Sequence, residues 1–135
     1  MKLRFTKRDR KNLKIEHYPI EQAVLVPSTI HGDKRISIAQ RKRRIREVKK
    51  YLSNKFGGFT SVSAEGGYYS DKKNRIIQEP VTVVTSFSKK SKYDKNVAEL
   101  KRQLRRWGKK WKQETIGYSH EGDLYYIGGK ITKKR

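Results

Sequence analysis

No cysteine occurs among the 135 residues, which excludes disulfides and every zinc site built on thiolates. Histidine is nearly as scarce: His17, His31 and His120 share no metal-ligand spacing, and neither HxH nor HExxH occurs, so no metal or cofactor is expected. Nowhere does an apolar run approach the roughly 18 to 20 residues that span a bilayer, and no apolar stretch of a signal peptide follows the basic start. The expected place is the cytoplasm, in association with a nucleoid, ribosome or virion. Apolar residues make up only 33%, below the roughly 45 to 50% of ordinary globular chains, so the core must be thin. The shortest supply is acid: 13 Asp and Glu stand against 35 Lys and Arg.

What the chain has in excess is therefore positive charge, +22 at neutral pH with a pI near 10.3. Self-repulsion of this size calls for a partner, and a polyanion is the simplest one, because each neutralised phosphate releases condensed counterions. An anionic membrane surface, an acidic protein and a thermophile's surface are the alternatives. The last usually raises Glu along with Lys, which the acid-poor count contradicts.

Residues 1 to 18 carry seven basic and two acidic side chains with scattered Leu, Phe and Ile, and are expected to form a basic arm, or else an edge strand or short helix packed on the domain. Gln22 to Ile30 is a short apolar run interrupted by Pro27, as in a buried strand. Ser37 is placed as an N-cap for a helix in which Ile38, Ile45, Val48, Leu52 and Phe56 recur at helical spacing until Gly57-Gly58. Phe59 to Tyr69 and residues 75 to 88 alternate as strands, with a bulge or edge predicted at Pro80. Asp94 is expected to cap a second helix running through Lys112, with Val97, Leu100, Leu104, Trp107 and Trp111 as its buried stripe. Thr115 to His120 and Leu124 to Ile127 read as strands around the turn Glu121-Gly122-Asp123.

The order strand, helix, strand, strand, helix, strand predicts an α+β fold: a ferredoxin-like βαββαβ sandwich, its antiparallel sheet covered on one face by two helices. The expected division is the arm at 1–18, the domain at 19–128 and a basic tail at 129–135. Five motifs add a family resemblance: Phe56-Gly57-Gly58-Phe59-Thr60, Gly66-Gly67-Tyr68, Glu79-Pro80-Val81, Gln113-Glu114-Thr115-Ile116, and Glu121 through Ile127. The segment from Phe56 to Ile127 resembles a group of small, functionally uncharacterised ferredoxin-like proteins. The resemblance implies the fold and a dimer formed through the sheet face, without an activity. Those proteins are not especially basic, so the Lys and Arg surface is a departure from them.

At 100° per residue, Arg43, Arg46 and Lys50 lie opposite the apolar stripe of the first helix, flanked by Lys42 and Lys49. Arg102, Arg105, Arg106 and Lys109 take the same position on the second. Only Glu47, Glu99 and Glu114 offer pairing on these helices. With Lys7, Arg8, Arg10 and Lys11 of the arm, these residues form the expected nucleic-acid-binding set. Arg41 falls near the apolar centre of its helix and would snorkel or meet an acid such as Glu79 or Glu121. Trp107 and Trp111 are expected in the core. The tyrosines at 68, 69, 118, 125 and 126 suit either stacking platforms or burial in a dimer.

Glu65, Asp71, Glu79, Glu121 and Asp123, the only nearby carboxylates that a metal-dependent nuclease could use, are scattered, and the paired glycines look like turn or bulge residues rather than phosphate cradles. The expected function is non-catalytic binding of DNA or RNA through the phosphate backbone, with a structural role in a nucleoprotein particle as the first alternative and a metal-dependent nuclease as the second. No enzyme is expected.

Overall fold

The computed structural model describes residues 3–31 and 34–128. The basic tail expected at 129–135, and Gly32 and Asp33 of the expected turn, lie outside them. A six-residue helix, α1 (Lys7–Asn12), opens the described chain. Thr6 and Asp9 close a reciprocal capping box on it, and none of its residues is buried. It holds Lys7, Arg8, Arg10 and Lys11 in solvent.

The domain proper runs β1 (Ile20–Pro27), β2 (Thr29–Ile30), β3 (Lys34–Arg35), α2 (Ile38–Phe56), β4 (Thr60–Ser70), β5 (Arg75–Ser88), α3 (Lys90–Lys110), β6 (Thr115–His120) and β7 (Asp123–Gly128). Five strands form one antiparallel sheet in the order β4-β5-β1-β6-β7, and β2 and β3 make a two-stranded ladder. The mixed α+β class and the antiparallel sheet agree with the sequence reading. Glu121 and Gly122 both take positive φ in the two-residue turn joining β6 to β7, the backbone that a tight hairpin requires.

Strand side chains alternate between faces. Val24, Val26, Val84, Ile116 and Tyr118 point to one side, where they pack with Val48, Leu52 and Phe56 of α2 and with Leu100, Leu104, Trp107 and Trp111 from α3 and its C-cap. Both tryptophans are core residues, stacked with centroids 5.5 Å apart. Ser37 caps α2 through Gln40, and Gly57 ends it at φ 110°, both at the positions the sequence predicts.

Three expectations on this face need correction. Asp94 does not cap α3, which starts at Lys90 behind Lys89; Asp94 instead binds Lys90 at 2.5 Å within the first turns. The helix starts early because β5 runs directly into it at Ser88. Trp111 forms its C-cap, and Lys112 has already turned to φ 56°. The arginine drawn inside α2 is Arg44, 6% exposed, rather than Arg41. The edge predicted at Pro80 is found, by contrast: this residue sits one position past the last β1–β5 pair, Pro27↔Val81. β5 is locally an edge there, where a missing N–H costs no ladder bond.

Candidate active site

The register places Ala23, Leu25 and Pro27 beside Thr85, Val83 and Val81, and Leu25 beside Gly117, itself opposite Tyr126. On the outer side of β5, Val62, Ala64, Gly66 and Tyr68 face Val83, Val81, Glu79 and Ile77. These residues form the sheet face that no helix covers, and toward one end of it lies a cleft of about 1150 Å³. Leu25, Pro27, Ile77, Val81 and Gly117 give it an apolar floor, Tyr68 and Tyr126 stand along it, and His31, Lys112, Gln113 and Glu114 form its rim.

Glycine keeps this floor low. A Cβ at Gly66 would come within 3.0 Å of Val81 Cγ2, and one at Gly117 within 3.1 Å of Leu25 Cδ2. Gly66 is thus a strand-interior residue where the face must stay shallow, and Gly67 beside it also lies inside β4, rather than the turn or bulge residues expected.

One acid stands in the middle strands of the cleft. Glu79 is half-buried, and its Oε2 accepts a hydrogen bond from Thr29 Oγ1 at 2.8 Å. Thr29, 2% exposed, also presents its carbonyl to Arg44 Nη1 at 3.0 Å and to Gln113 Nε2 at 2.5 Å. The same Arg44 nitrogen reaches the Pro27 carbonyl at 2.7 Å, and Nη2 reaches that of Trp111 at 3.3 Å. Gln113 Nε2 makes a second bond to the Trp111 carbonyl at 3.1 Å, which leaves its amide oxygen free among the described residues. Burial lowers the Arg44 pKa below its ordinary value, and the charge of Glu79 opposes that shift.

Backbone strain collects at the rim. His31 and Lys112 both adopt positive φ, 52° and 56°, and the His31 N–H donates to the Lys112 carbonyl at 3.0 Å. Non-glycine residues in this region carry a cost that surrounding structure must impose. Here the link ties the segment after β2 to the end of α3.

A half-buried carboxylate in an apolar cleft lined by Tyr68 and Tyr126 suits an organic cation, since the carboxylate supplies charge and aromatic rings add cation–π attraction. No cluster of three or more potential metal ligands occurs among the described residues.

None of the expected nucleic-acid-binding residues lines this cleft. Lys42, Arg43, Arg46, Lys50, Arg102, Arg105 and Lys109 are exposed on the helical layer behind the sheet. Lys49 is half-buried, its ammonium 5.3 Å from the Phe59 ring, and Arg106 is tied to Glu99 at 2.8 Å. Three of the motifs singled out in the sequence do converge on it: Gly66-Gly67-Tyr68, Glu79 with Val81, and Gln113 through Ile116. The signal was present in the sequence, but nothing in their spacing says that they meet.

No family model and no curated protein matches the sequence. Two solved structures share the fold. A phage SAM lyase in complex with S-methyl-5′-thioadenosine aligns at TM-score 0.60 and 14% identity, covering 90% of this chain and 98% of that one. Phage SAM lyase in its apo state aligns at TM-score 0.54 and 15% identity, covering 90% and 100%.

These likenesses overturn the expected function. The fold is shared with phage SAM lyase, whose structure holds S-methyl-5′-thioadenosine, and this likeness contradicts the reading as a non-enzyme with a nucleic-acid partner and, with it, the nucleoprotein and nuclease alternatives. The physical reason lies in the sheet. Charge totals and helix periodicity describe the outer layer, whereas the carboxylate-bearing cleft is assembled on the opposite face from residues distant in sequence. The face assigned to a dimer by the family resemblance carries that cleft. Among the described residues no helix is long and apolar enough to cross a membrane.

Proposed function

We propose that this protein is an enzyme that binds S-adenosylmethionine in the sheet-face cleft and releases S-methyl-5′-thioadenosine from it. The observation that carries the reading is Glu79, held by Thr29 in an apolar, tyrosine-lined cleft of a fold in common with phage SAM lyase. In the same reading, β4-β5-β1-β6 is a ferredoxin-like core to which β7 adds a fifth strand, and the uncharacterised ferredoxin-like family is its sequence kin.

The substrate's sulfonium is the cation that Glu79 attracts, and the rings of Tyr68 and Tyr126 flank the nucleoside. Gln113 offers its free amide oxygen to the adenine amino group, and Lys112 at the rim takes the substrate carboxylate. In a lyase reaction the sulfur–Cγ bond breaks without water and its electron pair stays on sulfur, giving a neutral thioether. The four-carbon fragment replaces the pair in one of two ways. Its own carboxylate oxygen attacks Cγ and closes a lactone, or a C–H bond supplies the pair, an alkene forms and Glu79 accepts the proton. Because sulfonium charge disappears along either route, simple pairing with Glu79 favours the bound substrate over the transition state. Glu79 therefore contributes to rate through orientation or as the proton acceptor.

Incubation of the purified chain with S-adenosylmethionine should yield S-methyl-5′-thioadenosine by chromatography, and Glu79→Gln should lower kcat/KM by about a hundredfold or more. The co-product, lactone or unsaturated amino acid, separates the two routes. Failure of the wild-type chain to form the thioether overturns the reading.

A further inference from the structure

We infer that Arg44 is a positioning residue of this site, locking Glu79 and Gln113 in place from behind the sheet without touching the cleft. The inference rests on the proposed reaction for its kinetic arm and on geometry alone for its spectroscopic one.

Arg44 is the one charged side chain among the buried described residues. A guanidinium taken out of water is costly unless its donors are satisfied, and no carboxylate lies within salt-bridge distance of it among the described residues. Three carbonyls hold it instead, from three places in the chain: Pro27 at the end of β1, Thr29 on β2, and Trp111 at the C-cap of α3. Its carbon also lies 5.3 Å from the Trp111 ring centroid, and the carbonyl end of α3 presents the negative pole of the helix dipole to it.

Each of these contacts leads into the site. Thr29 gives its hydroxyl to Glu79. The Thr29 and Trp111 carbonyls that Arg44 holds are also the two that receive Gln113 Nε2. One rigid planar group thus sets the separation of the β1–β2 corner and the end of α3, and so the spacing of the carboxylate and the amide across the cleft. Lysine could not reproduce this, since its ammonium is a single point on a flexible stem and lacks the planar fork that reaches three fixed acceptors. Arg44 appears neither in the floor nor in the rim of the cleft, which distinguishes it from a residue that binds substrate.

The test compares Arg44→Ala and Arg44→Lys in the full chain, with millimolar guanidinium as chemical replacement and urea as its neutral control. In Arg44→Ala, kcat should fall about a hundredfold, the loss typical of a small misplacement of reacting groups, while KM changes far less. Guanidinium should restore at least a tenth of the loss on a logarithmic scale per added decade of its concentration, and urea none. Wild-type kcat in Arg44→Ala, or equal recovery with urea, overturns the inference. If Arg44→Ala does not fold, Arg44→Lys decides: lowered kcat with an intact near-ultraviolet circular dichroism spectrum supports it, and wild-type kcat overturns it.

Absence of turnover in the wild-type chain removes the proposed reaction but not this inference. In that event the side-chain amide NMR signals of Gln113 are the readout. They should move toward the position of a free amide in either variant, and signals unchanged from wild type overturn the inference.

Discussion

Glu79 keeps one oxygen on Thr29 and leaves the other without a partner among the described residues, an arrangement that costs little for a half-buried carboxylate and aims a single free acceptor. Thr29→Val preserves the shape of the residue and removes that hydroxyl. We expect a loss of about 1 kcal/mol in stability, measured by urea unfolding, together with a drop of about tenfold in kcat that a merely structural role would not produce. A second carboxylate makes a pH prediction. Glu99 is held below its ordinary value of 4.5 first by the Tyr51 hydroxyl, an effect that burial opposes, and then by Arg106. Its folded value lies under its unfolded one, so its stabilisation is complete above the ordinary value and drains away as pH falls through the lowered one. Urea midpoints compared at pH 6 and pH 3 should therefore drop further for wild type than for Glu99→Gln. At this scale the sequence was misleading about arginine. Arg41 and Arg44 are three apart on one helix, and the 100° projection favours Arg41 as the inward residue. Only the carbonyls of Pro27, Thr29 and Trp111, supplied by other segments, make Arg44 the one that can be buried.

Among the elements, α2 was the most legible, because its signals are local. A serine with glutamine three residues on, an apolar repeat and a glycine stop all act within one or two turns. Ser37→Ala should cost about 1 kcal/mol, seen as a lowered thermal midpoint with the cleft undisturbed. The two long strands were equally legible from alternation, but alternation alone could not say that their odd-numbered β5 face lines a cleft. Gly66 makes the difference. A methyl there would meet Val81 beside Glu79, so Gly66→Ala should weaken S-methyl-5′-thioadenosine binding about tenfold in calorimetry, with overpacking costing about 1 kcal/mol or more of stability. At the start of α3 the N-cap signal of Asp94 competes with continuity from β5, and the helix begins at Lys90. The salt link to Lys90 shows that the same carboxylate serves just as well one turn inside a helix.

For the whole molecule, the charge of +22 acts oppositely on a polyanion and on the proposed cationic substrate. A phosphate polyanion would be attracted and its binding weakened by salt. The proposed substrate, S-adenosylmethionine, carries net positive charge, so under that proposal the chain repels it until it nears Glu79. Raising ionic strength from about 0.01 M to 0.15 M shortens the screening length from about 30 Å to 8 Å, and kcat/KM should rise about twofold. A fall over that range contradicts a cationic substrate. The sequence by itself determined the thin core, the exposed cationic layer, the two amphipathic helices and most strand positions, since composition and short-range periodicity suffice for each. Only the tertiary structure decided that Gly66, Glu79 and Gln113 share one cleft, that Arg44 stands behind them, and that the cleft lies opposite the charge. Strand pairing brings together residues from distant parts of the chain, and a sequence read along its length carries no record of which of its segments become neighbours.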